Sequence, residues 1–135
     1  MQTQTQSPQN YFHGPEAVRA EGPVLDVRVL EKWRDLGGDE LVSELLDVFL
    51  FDAERRADHL RRAAANADAA SWAMAARMLK GTGSNLGGNP LTSICERMEA
   101  FVRAGRLVEA HALMAPFEAA FQQVKSALGH WRPKS

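Results

Sequence analysis

Ala75-Ala76-Arg77-Met78-Leu79-Lys80-Gly81-Thr82-Gly83-Ser84-Asn85-Leu86-Gly87-Gly88 is the stretch that decides how this chain is read. Placed on an α-helix at about 100° per residue, Trp72, Ala75, Leu79 and Leu86 fall within about 40° of one direction and form an apolar stripe. The opposite side carries Ala73, Arg77, Lys80, Gly81 and Ser84, two cations among residues small enough for another protein's backbone to come close. Glycine inside a helix costs about 1 kcal/mol relative to alanine, so Gly81 and Gly83 in mid-pattern point to a packing or docking requirement.

Outward from this helix, the neighbouring segments read as more helices joined by short turns. Asp26 is placed to cap a first helix through Val27, Leu30 and Trp33, which Gly37-Gly38 ends. From Asp39, Leu41/Val42, Leu45/Leu46, Phe49, Ala53, Ala57, Leu60 and Ala64 recur at three- and four-residue intervals, with Glu44, Asp47, Glu54, Arg55 and Arg61 turned to water. Asn66-Ala67-Asp68 supplies a turn and a new cap, and Gly87-Gly88-Asn89-Pro90 a stop and a restart. Leu91, Ile94/Cys95, Met98 and Phe101/Val102 mark a fourth helix. Leu107, Ala110, Leu113/Met114, Phe117, Ala120/Phe121, Val124 and Leu128 mark a fifth, with a kink or break expected at Pro116. Short turns imply antiparallel neighbours, so the expected fold is all-α, an up-and-down antiparallel four-helix bundle with an additional N-terminal helix. Residues 1–23, rich in Gln, Thr, Ser and Pro without an apolar period, read as a mobile tail, 24–128 as the bundle and 129–135 as a C-terminal tail.

Composition narrows the function classes. At 135 residues, 45% hydrophobic and 24% charged, the chain fits one globular domain. Its formal net charge of −1 argues against nucleic acid as a partner. Arg55, Arg56, Arg61 and Arg62 alternate with Asp52, Glu54 and Asp58 and read as a solvated face. The single cysteine, Cys95, excludes an intrachain disulfide framework. The apolar runs are too short for membrane insertion and no leader pattern opens the chain, so a cytoplasmic protein is expected. His13, His59, His111 and His130 lack metal-ligand spacing with each other or with Cys95, and neither metal nor cofactor is expected.

The run Ala76-Arg77-Met78-Leu79-Lys80-Gly81-Thr82-Gly83-Ser84-Asn85-Leu86-Gly87 resembles the signature of histidine phosphotransfer (HPt) domains, A-H-x-L-K-G-x-[SG]-x-N-L-G. Ala76, Leu79, Lys80, Gly81, Asn85, Leu86 and Gly87 match it. The order of the flanking segments VLD, LGGDELVSELLDVFLFDA and ICERMEAFVRAG fits as well. The resemblance implies a helical bundle that works with the receiver domain of a response regulator or of a hybrid sensor kinase, and a role for Lys80 in offsetting phosphoryl charge. Arg77 stands where the family carries its phosphorylated histidine. A guanidinium stays protonated to a pKa above about 12 and has no nucleophilic nitrogen, whereas it pairs readily with carboxylate or phosphate.

The reading is therefore a non-catalytic, pseudo-HPt module that docks a receiver through Arg77, Lys80, Gly81, Ser84 and Ala73. Met74 and Met78, flexible thioethers flanking Arg77, extend that face. Phe51, where related domains carry a polar residue, either packs on the first helix or joins the docking rim. Two other readings stay open: a phosphotransfer protein whose acceptor histidine was replaced by engineering, and a bundle that binds itself or an unrelated protein. The four histidines, outside Lys-Gly-Ser surroundings, are not expected to substitute as acceptors.

Overall fold

Asp26 opens the first helix: its backbone is extended and its carboxylate accepts the Arg28 N–H at 3.0 Å. The structure is a computed structural model that describes residues 25–86 and 89–133, so the expected tail at 1–23, with His13, and the stop at Gly87-Gly88 lie outside the described residues. Helix α1 (Val27–Ala65) is broken once, at Gly38, whose φ of 72° and ψ of −167° are open essentially to glycine alone. The 16 residues from Trp33 to Phe49 would separate their rings by about 24 Å on an unbroken helix, yet the two stack at 5.3 Å. Residues 27–37 thus fold back as the additional N-terminal helix. Arg34 lies over the Trp131 ring at 5.3 Å, and the Asp26 N–H reaches the Leu86 carbonyl at 3.3 Å.

After a turn with Ala67 at φ 52°, Asp68 accepts the Ser71 N–H at 3.3 Å and α2 (Ala69–Leu86) begins. Helices α3 (Asn89–Arg103), α4 (Leu107–Ala112) and α5 (Met114–Trp131) follow. The long part of α1, then α2, α3 and the α4–α5 pair make an up-and-down antiparallel four-helix bundle, with no strand among the described residues. The core is the set of stripes read from the sequence: Leu46, Leu60, Trp72, Leu79, Met98 and Phe117 are all 0% exposed. The Trp72 Nε1–H donates to Met98 Sδ at 3.1 Å, which satisfies the one polar atom of the largest core side chain.

Three features differ from the expectation. The break in the last stripe falls at Leu113, not Pro116, because Pro116 sits in the first turn of α5, where a missing N–H interrupts no helical bond. Helix α5 also continues through Trp131, beyond Leu128. Arg61 is not simply turned to water: its guanidinium forks onto Glu118 at 2.7 and 2.8 Å and joins α1 to α5. Among the described residues no helix is long and apolar enough to cross a membrane.

Candidate functional site

Helix α2 is covered on two sides, by α1 and by α3, so its buried arc is wider than the apolar stripe alone. Ala76 and Gly83 are buried toward that second contact, and so is Ala73 at 3% exposed. This corrects the sequence reading, which put Ala73 on the open side. An alanine carries no signal of polarity, and its small size is what lets a neighbouring helix close over it.

Beyond its first turn, the surface left open on α2 consists of Met74, Arg77, Met78, Gly81, Ser84 and Asn85. Met74 is 55% and Met78 45% exposed. The Gly81 backbone is bare, since a Cβ added there would meet nothing within 4 Å. Thr82 is turned back on its own helix, its hydroxyl donating to the Met78 carbonyl at 3.2 Å. Arg77 is exposed and makes no hydrogen bond or ion pair with another described residue.

Lys80 behaves differently. The sequence suggests two uncompensated cations on one face, but Lys80 Nζ lies 3.6 Å from Glu99 Oε1 on α3, and Arg103 Nε donates to the same carboxylate at 2.9 Å. Glu99 is only 12% exposed. Burial raises its pKa, but the Arg103 hydrogen bond and the charges of Lys80 and Arg103 outweigh that and hold it below the ordinary glutamate value. Arg77 is therefore the unengaged cation of the pair.

Phe51, on α1, is 70% exposed and does not pack into the first helix, which removes the blander of its two readings. Val48, one turn away, is 59% exposed. Helices α1 and α2 run antiparallel from the turn at 66–68, and a groove between them brings Arg55 and His59 level with Met78 and Met74. One turn further from the turn, that register sets Phe51 level with Gly81. So Met74, Arg77, Met78 and Gly81 lie along the exposed side of α2, with exposed Phe51 on the neighbouring α1 and Ser84 toward the far end, and buried Ala73 does not belong.

The sequence reading missed what surrounds this face. Arg55, Arg56 and Arg62, taken there as part of a solvated face, line with His59 the groove of about 730 Å³ opposite the two methionines. Only the antiparallel pairing of the helices brings them to Met74 and Met78, and nothing local in the sequence signals it. Glu99 was missed for the same reason.

Helix α2 contains no histidine. Of those described, His111 packs on Trp72 with ring centroids 4.7 Å apart, and His130 Nδ1 donates to the Ser126 carbonyl at 2.9 Å. Among the described residues no group of three His, Cys, Asp or Glu side chains is arranged to hold a metal ion. The face can present charge, small residues and apolar contacts. His59 on α1 lines the groove opposite Met74 and Met78.

Comparison with known proteins agrees with this architecture. The Hpt domain family matches residues 44–127, which contain most of the long part of α1, all of α2, α3 and α4 and most of α5. The crystal structure of histidine-containing phosphotransfer protein B (HptB) from Pseudomonas aeruginosa PAO1 is 34% identical, covers 83% of this chain and 96% of its own, and superposes with a TM-score of 0.74. No curated protein matches. A bundle of this topology, matched in sequence over most of its length and in backbone by a solved phosphotransfer protein, belongs to the Hpt domain family.

Proposed function

We propose that this chain is a phosphorelay signalling module that docks a receiver domain without carrying phosphate, and so sequesters or tunes the receiver. The observation that carries this is Arg77: an exposed cation with no described partner, at the position where the family signature has histidine. Phosphoryl transfer to an HPt domain needs a neutral imidazole nitrogen with a free lone pair. A guanidinium at the same place has none, yet its five N–H donors suit the carboxylates of a receiver's phospho-accepting pocket.

The surroundings support docking. Gly81 offers bare backbone beside the cation, and Met74, Met78 and Phe51 offer adaptable apolar contact at the rim. A standard interface of about 800 Å² per partner would cover this set. Lys80, already held by Glu99, contributes to the local field more than it contacts a partner.

The test is titration calorimetry of the full chain against receiver domains from the same cell, with Arg77→Glu in parallel. The proposal expects at least one receiver to bind and that binding to weaken by on the order of tenfold or more when the charge is reversed. Receivers that bind both forms equally would move the interface elsewhere on the bundle.

A further inference from the structure

The groove between α1 and α2 shares Met74 and Met78 with the rim of the receiver-docking face, but its charged wall on α1 is not part of that face. Its α1 wall carries Arg55, Arg56, His59 and Arg62; its α2 wall carries Met74 and Met78. Asp68 is the carboxylate among the lining residues, and its Oδ1 is already engaged by the Ser71 N–H at 3.3 Å. Asp52, one turn away, is shared loosely between Arg55 at 3.4 Å and Arg56 at 4.0 Å. Arg62 makes no ion pair with a described residue. A cation at the last turn of a helix is favoured by the helix dipole, which accounts for Arg62 by itself.

It does not account for Arg56. The Nε–H of Arg56 is buried without an acceptor, an unmade hydrogen bond in the wall of an open groove. The chain as a whole bears a net charge of −1, so this excess of cation is local. Arg55 and Arg62 are seven residues apart, about 10 Å along α1. Carboxylates at i and i+7 of a helix laid alongside have the same spacing, and apolar residues at i+3 and i+4 between them would rest on the two methionines.

We propose that this groove binds an acidic amphipathic segment of a partner protein, with carboxylates on Arg55, Arg56 and Arg62 and an apolar side chain against Met74 and Met78. The inference goes beyond the receiver reading and does not depend on it. The groove's charged residues lie on α1, whereas the receiver face centres on Arg77 of α2.

The probe is a fluorescein-labelled helical peptide with glutamates at i and i+7 and leucines at i+3 and i+4, compared by fluorescence polarisation with a counterpart bearing lysine for glutamate. The full chain should bind the acidic peptide with a Kd of about 10–100 µM, more weakly as salt rises, and the basic peptide not at all. Arg55→Glu or Arg62→Glu should weaken binding by on the order of tenfold, while Arg77→Glu changes it by less than about threefold. In the unmutated chain, amide shifts on adding the acidic peptide should concentrate at His59, Met74 and Met78. Equal binding of the two peptides, charge reversals without effect, or shifts centred outside the groove would each overturn the proposal.

Discussion

Lys80 and Glu99 meet across the α2–α3 seam at 3.6 Å, and Glu99 takes a second cation, Arg103, at 2.9 Å. The lysine that the family resemblance assigns to phosphoryl charge is thereby held by an acid within the bundle, while Arg77 is not. Lys80→Ala should weaken receiver binding by less than about threefold, and Arg77→Glu by on the order of tenfold or more. Calorimetry of the two variants side by side reads the difference. Equal losses would place Lys80 in the contact.

Gly81 separates stability from docking. Its Cβ position is empty to 4 Å, so Gly81→Ala should raise stability by about 0.5–1 kcal/mol through helix propensity alone. The same methyl stands on the open face and should lower receiver affinity. Urea melts and calorimetry on one variant measure both, and a variant more stable with unchanged affinity would show that no partner comes close to that backbone.

Gly38 tests the break in α1. Its φ of 72° with ψ of −167° is a conformation that a side chain strains, so Gly38→Ala should destabilise the fold by about 1–3 kcal/mol. The loss should appear in urea melts together with looser Trp33–Phe49 stacking, visible as altered near-ultraviolet circular dichroism. Unchanged stability would mean that α1 can continue straight through this position.

The Arg61–Glu118 bridge sets an acid limit. The Arg61 hydrogen bonds hold the Glu118 carboxyl below its ordinary value, against the opposing effect of partial burial. A depressed acid adds stability that is complete above its unfolded pKa, about 4.3, and is lost as pH falls through the lower folded value. With both side chains partly exposed, the bridge is worth about 1 kcal/mol at neutral pH. Melting temperatures should drop below about pH 4.5 in the wild type, and Glu118→Gln should start lower at neutral pH and drop less. Parallel curves for the two proteins would show that the bridge contributes nothing to the acid limit.

The fold was legible because its determinants are local. Stripes at three- and four-residue spacing, the caps at Asp26 and Asp68 and the glycines at 37–38 each act within a few residues, and the structure has each of them in the expected role. What escaped depends on which helices meet. Ala73 looks neutral on a helical wheel and is buried in a helix that packs against both α1 and α3. Lys80 looks unpaired until Glu99 arrives from α3, and Arg61 looks solvated until Glu118 arrives from α5. Pro116 reads as a break from composition, but a helix start two residues earlier, at Met114, makes it harmless. Phe51 could not be assigned from its position on the wheel, since the fold-back at Gly38 decides whether anything covers it.

The central claim is that Arg77 makes this module a binder that does not carry phosphate. The most direct measurement is incubation of the full chain with a receiver bearing a radiolabelled aspartyl phosphate, followed by separation under conditions that preserve phosphohistidine. The account predicts no label on the wild-type chain and an acid-labile, base-stable label on Arg77→His. A stable label on the wild-type chain, at any of its histidines, would contradict it.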